Sequence, residues 1–161
     1  MLANLDRVLR GDPRTIGYLR QGLNHEMSVV QHYVTQGQLC ALWGMDAECA
    51  YFRREASEEL GHAAMIIRHM LALGLTPNAT QLAAVRPGRD KAEFLVRDMQ
   101  LEQEAVQLYA EAVDHCRRTR DETARQLFAA LLKDEQAHLR ELERMLADAT
   151  HQESCYGGIF G

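Results

Sequence analysis

The residues best suited to chemistry in this 161-residue chain are two Glu-x-x-His pairs, Glu59 with His62 and Glu135 with His138. Residues three apart share one face of a helix, so each pair can aim a carboxylate and an imidazole at one point. Another glutamate, Glu26 or Glu102, stands 33 residues before each pair, and the two halves are offset by 76 residues. Tyr33 and Tyr109 keep that offset, each seven residues after its glutamate. Isolated pairs arise by chance in a chain with 7 His. Matched glutamates upstream of both are far rarer, and the chain reads as an internal duplication.

If each half is a helical hairpin, a pseudo-two-fold axis brings all six side chains together at mid-bundle. Four carboxylates crowded into a helical core repel one another and are costly to desolvate. Two divalent cations cancel that charge, with neutral imidazoles completing the shells. Carboxylate and imidazole donors suit iron or manganese, and the lack of thiolate ligands argues against structural zinc. The set matches a known pattern of dinuclear carboxylate sites in helical bundles. Glu59 and Glu135 are expected to bridge the metals, with Glu26 and His62, and Glu102 and His138, as terminal ligands. Glu58 and Asp134 are placed to hold the ligand histidine of the opposite half by its other nitrogen. Tyr33 and Tyr109 are candidates to bond ligand carboxylates. His25, His32, His69 and His115 fall outside the repeat and read as core or surface histidines.

Four long helices must position these residues. Asp12-Pro13 reads as an N-cap with proline in the first turn, and apolar residues from Ile16 to Leu42 recur at helical spacing to about Trp43. Gly44 ends that helix, and Asp46 is expected to cap the next, which runs to about Leu73 before Gly74. Residues 75–90, broken by Pro77, Asn78, Pro87 and Gly88, form one long connection. The third helix is expected over Asp90 to Arg118 and the fourth from near Asp121 to about Ala149. Helices near thirty residues are about 40–45 Å long, and the long connection can run the length of the bundle. The fold expected is all-α, a four-helix bundle of up-down-crossover-down-up order over residues 1–149, followed by a glycine-rich tail over 150–161.

Composition fits this reading. Hydrophobic residues make up 47% and charged ones 25%, with only 3 Pro, the balance of a globular, helix-favouring chain. The formal charge of −5 argues against nucleic acid or an anionic membrane as partner. The first ten residues lack a signal peptide's apolar core, and no apolar run approaches a membrane span, so a cytoplasmic location is expected. Cys40, Cys49, Cys116 and Cys155 show no Cys-x-x-Cys spacing and read as idle thiols of a reducing compartment.

From about Gly11 to Ala147 the sequence resembles the bacterioferritins, within the ferritin-like superfamily. The likeness lies in Gly-Asp-Pro at 11–13, Leu-Asn-His-Glu at 23–26 with Tyr33, and Glu59-x-x-His62. It continues through Gly-Leu-x-Pro-Asn at 74–78, Leu-Glu at 101–102 and Asp-Glu-x-x-His at 134–138. The resemblance implies that Glu26, Glu59, His62, Glu102, Glu135 and His138 hold two iron ions per subunit. It implies Fe2+ oxidation by O2 or H2O2 and a ferric mineral kept inside an oligomeric shell. Tyr33 matches a family tyrosine linked to electron donation.

Two departures stand out. Family members bind haem through a methionine directly after the second-helix bridging glutamate, and here that residue is Leu60, so haem is not expected through it. Met27, Met65 and Met70 read as core or interface residues. A homo-oligomer, or a shell mixed with a haem-bearing relative, is implied. Gly157-Gly158 weakens the fifth helix that lines the family's 24-subunit cage, which leaves a smaller shell or a dimer open. Two rival functions also remain. One is a di-iron oxygenase or peroxidase of a non-cage dimer, and the other is a non-catalytic structural or cargo subunit.

Overall fold

In the computed structural model the described residues are 11–156, with side chains described through 149. They form four helices, α1 (Pro13–Leu42), α2 (Asp46–Ala72), α3 (Lys91–Thr119) and α4 (Glu122–Tyr156), and no strand. The sequence explains where they start. The Asp12 carboxylate accepts from the Arg14 and Thr15 backbone N–H groups, and Asp90 accepts from Glu93 N while Glu93 accepts from Arg89 N. The first of these caps α3, and the second ties the preceding residue to its first turn. Asp121 caps α4 through Ala124 N.

Two boundaries differ from expectation. Asp46 is the first residue of α2 rather than its cap; Met45 holds the cap position and supplies no side-chain bond. Asp46 and Glu48 instead place negative charge in the first turn, where it complements the helix dipole. The fourth helix continues past the expected end at Ala149 to Tyr156, because no glycine or proline interrupts it before Gly157. The remainder of the expected tail, 157–161, and all its side chains lie outside the described residues.

Contacts at both ends establish the helix directions. Asp12 at the start of α1 meets His115 near the end of α3, and Trp43 after α1 stacks on Phe94 at the start of α3. Those helices are antiparallel. Arg54, early in α2, reaches Glu141, late in α4, so these too run in opposite senses. The order is therefore up-down-crossover-down-up. The crossover climbs α1 step by step: Gln81 N donates to Asn24, Ala83 N to Ser28, and Gln36 donates to Pro87 O. Gly88, at φ 102°, lets it turn into α3, where a Cβ would lie 3.0 Å from Glu93 Cβ.

The apolar interior is split in two. Tyr18, Leu19, Leu23, Ile66, Tyr109 and Phe128 belong to one cluster, and Val29, Tyr33, Cys40, Phe52 and Phe94 to the other. Between them lies a belt of buried polar side chains at mid-helix. Cys40, Cys49 and Cys116 are buried and free. Leu19 is completely enclosed, so Leu19→Ala is expected to cost about 2–5 kcal/mol through lost burial and a cavity. Denaturant unfolding of the metal-free protein measures this.

Candidate metal centre

Each helix contributes to the belt from its middle turns. Glu26 comes from α1, Glu59 and His62 from α2, Glu102 from α3, and Glu135 and His138 from α4. The four carboxylates are at most 2% exposed and the two imidazoles at most 9%. Their donor atoms form two overlapping groups, each spanning no more than 4.8 Å. One contains Glu26, Glu59, His62 and Glu135, and the other Glu59, Glu102, Glu135 and His138. Glu59 and Glu135 belong to both.

The two halves repeat in detail. His62 Nδ1 lies 3.0 Å from Glu59, 2.9 Å from Glu135 and 3.8 Å from Glu26. His138 Nδ1 lies 3.1 Å from Glu59, 3.3 Å from Glu135 and 3.9 Å from Glu102. The rings stack with centroids 5.8 Å apart. On the far side, His138 Nε2 is 3.1 Å from Glu58. His62 Nε2 is 3.6 Å from Asp134, an ion-pair distance rather than a hydrogen bond. Both contacts run to the opposite half, and a proton held on Nε2 leaves the Nδ1 lone pair facing the belt.

The tyrosines cross between halves as well. Tyr33 on α1 donates to Glu102 on α3 at 2.6 Å, and Tyr109 on α3 donates to Glu26 on α1. His32 bonds Asp98, His115 bonds Asp12, and neither joins the belt.

Metal ions fit this arrangement on one decisive point. Glu26 Oε2, Glu59 Oε1, both Glu135 carboxylate oxygens and His138 Nδ1 are buried without a hydrogen bond. Charged atoms near 3 Å apart that fail to bond are aimed at a common point rather than at each other. Buried polar atoms are ordinarily satisfied, and five orphans at one place define a cation-shaped demand.

Protons meet part of that demand without metal. Burial lifts the Glu26 carboxyl to about 8 despite its contact with His62. Burial, with the charges of Glu59 and Glu135, drives Glu102 well above the carboxylate range. Burial opposes charge on His62, yet contacts with Glu135, Glu26 and Glu59 prevail and hold it protonated far above its ordinary value. His138 is raised to about 12, burial again being outweighed, here by Glu135 and Glu59. Against burial, the close approach of both histidines holds Glu59 and Glu135 below the usual range. Two imidazolium rings, two carboxylates and two neutral carboxyls sum to zero charge, as do four carboxylates with two divalent ions.

Sequence reasoning missed two buried acids on the ligand faces. Asp98, one turn before Glu102, is fully enclosed and binds His32 at 3.0 Å and Gln36 at 2.8 Å. Burial raises its carboxyl despite those bonds. Glu55, one turn before Glu59, is 2% exposed, raised chiefly by burial, and paired with Arg54 at 3.0 Å. Their i−4 spacing from Glu102 and Glu59 was the available signal. Leu60 is 53% exposed, lining an apolar hollow of about 250 Å³ between α1 and α2.

With the geometry in place, the comparisons define the class. A family model described as ferritin-like domain matches residues 16–151. Bacterioferritin of Rhodobacter capsulatus is 32% identical over 139 residues, 86% of each chain. That of Streptomyces coelicolor is 30% identical over 138 residues, 86% of this chain and 83% of the relative. A solved structure of the Rhodobacter capsulatus protein, described as having a metal-free dinuclear site and a haem iron, superposes with a TM-score of 0.85. It is 32% identical and covers 88% of this chain and 89% of that one. The chain thus belongs to the bacterioferritins, within the ferritin-like domain proteins.

Because ions replace protons, loading two divalent cations at pH 7 is expected to release about four protons per subunit and to weaken as pH falls. Anaerobic calorimetry with Mn2+ in buffers of differing ionisation enthalpy counts them. Release of none would contradict the protonation pattern.

Proposed function

We propose that the chain is a ferroxidase: Glu26, Glu59, His62, Glu102, Glu135 and His138 bind two Fe2+ per subunit for oxidation by O2 or H2O2. The observation that carries this reading is the convergence of buried, unbonded oxygen and nitrogen atoms on two adjacent positions. Glu59 and Glu135 bridge; Glu26 with His62 and Glu102 with His138 terminate. Fe2+ is the substrate, and each ion gives up one electron. Two redox ions held about 3.5–4 Å apart by shared carboxylates can act on one oxidant together.

The chain's own groups prepare the site. Glu58 and Asp134 keep the imidazoles turned with Nδ1 inward, and Tyr33 and Tyr109 fix the outer oxygens of Glu102 and Glu26. The apolar hollow on the α1–α2 face reaches Tyr33 but includes none of the six metal-facing residues in its lining. That placement favours an inorganic substrate over an organic one. The product Fe3+ passes to a mineral core in an oligomeric shell of this chain, alone or with a haem-bearing relative, because Leu60 offers haem iron no ligand.

Anaerobic loading followed by oxygen is expected to oxidise about two Fe2+ per subunit in a fast phase. Glu59→Ala should abolish that phase while leaving the helix content unchanged. Oxidation by the variant as fast as by the parent chain would sink the assignment. Native mass measurement is expected to show a closed, many-subunit particle; an isolated dimer would remove the storage role and leave the metal chemistry.

A further inference from the structure

The duplication repeats more than the six ligands. Tyr33 and Tyr109 are both fully enclosed, and each donates its phenolic hydrogen to a terminal carboxylate of the other half. Room for Tyr109 is built into α1 at Gly22. A Cβ there would lie 3.2 Å from Tyr109 Cε1, 3.3 Å from its Oη and 3.1 Å from Ile66 Cδ1. Phenylalanine at 109 would bury the same ring area. The hydroxyl aimed at Glu26 is therefore the feature that packing does not require.

Aromatic rings lie behind both tyrosines. Tyr33 leads through Phe52, at 6.0 Å between ring centroids, and Phe94, at 5.7 Å, to half-exposed Trp43, at 5.6 Å. Tyr109 stacks on Phe128 at 6.0 Å, and the next oxidisable ring, Tyr18, is 6.3 Å further. The Arg14 guanidinium lies 5.7 Å over the Tyr18 ring. A cation over an aromatic face is stabilised by its electrons, so it opposes their removal. Each tyrosine is thus separated by a phenylalanine from its next oxidisable ring, Tyr109 by Phe128 from Tyr18 and Tyr33 by Phe52 from Tyr51, over which the Arg54 guanidinium lies at 5.0 Å.

We propose that Tyr109 is a second one-electron donor to the iron site. The proposal rests on the ferroxidase reading and on O2 as oxidant. Two Fe2+ supply two electrons, whereas taking O2 to two waters requires four electrons and four protons. Tyr33 and Tyr109 supply one electron and one proton each, the proton crossing the hydrogen bond to Glu102 or Glu26, and solvent supplies the other two protons. The O–O bond breaks, four O–H bonds form, two irons become Fe3+, and two neutral phenoxyl radicals remain. Each radical is later reduced by a further Fe2+ with a proton from solvent. The full cycle thus consumes four Fe2+ per O2, against two with release of H2O2 when neither tyrosine can donate.

The test is freeze-quench electron paramagnetic resonance on the iron-loaded full-length chain after oxygen, with iron-to-oxygen stoichiometry measured in parallel. In Tyr33→Phe a phenoxyl signal should remain and discharge on a second addition of Fe2+. Tyr33→Phe/Tyr109→Phe should show no such signal and release H2O2 as the iron consumed per O2 falls about twofold. Replacing Tyr109 alone with 3-fluorotyrosine keeps the bond to Glu26 and should alter the hyperfine pattern, which separates donation from mere positioning. If Tyr33→Phe oxidises iron without a radical, or fluorination leaves the spectrum unchanged, Tyr109 is not a donor. If the parent chain itself fails to oxidise Fe2+ with O2, the ferroxidase reading falls, and this proposal with it.

Discussion

Four glutamates enclosed at the middle of a helical bundle are the constraint on which the rest of the structure depends. An isolated buried carboxylate is strongly disfavoured, and four together add mutual repulsion. The structure answers with a compensating charge that is symmetric about the same pseudo-axis as the acids. Each histidine Nδ1 faces both shared glutamates within 3.3 Å, and each outer glutamate accepts from a tyrosine of the opposite half. The His62–Glu135, His138–Glu59 and tyrosine contacts cross between helices, and His62 and His138 also approach Glu26 and Glu102 at 3.8 and 3.9 Å. The site therefore fixes the relative positions of all four helices, and the apolar clusters above and below it have only to fill space around that alignment.

Folding such a belt conflicts with loading it, since geometry ideal for two cations is poor geometry for hydrogen bonds. The five unbonded atoms express this conflict directly. Raised carboxyls at Glu26 and Glu102, with raised imidazoles at His62 and His138, offset the repulsion among the acids of the metal-free belt. The surrounding network serves the same rigidity. Asp98, His32 and Gln36 tie α1, α3 and the crossover together one turn from Glu102.

Much of this was legible in the sequence because duplication leaves an arithmetic trace. A shared offset between Glu26, Glu59, His62 and their counterparts pointed to the six belt residues and to the paired hairpins. The long crossover was legible from Pro77, Pro87 and Gly88. What stayed hidden depends on side-chain direction rather than spacing. Nothing in the one-dimensional pattern says that Tyr33 serves Glu102 rather than its own Glu26, since that follows from the antiparallel packing of α1 and α3. Asp98 and Glu55 look like ordinary helix-face acids until neighbouring helices enclose them. Met45 at the cap of α2 and the continuation of α4 through Tyr156 show tertiary packing and the lack of a breaker overriding local signals.

The most direct measurement is the anomalous difference map of a crystal soaked anaerobically in ferrous salt. The account predicts two peaks per subunit, each within bonding distance of one histidine Nδ1, with Glu59 and Glu135 bound to both. Iron confined to surface acids such as Glu58 and Glu141, with the mid-bundle glutamates still bonded only to histidine and tyrosine, would contradict it.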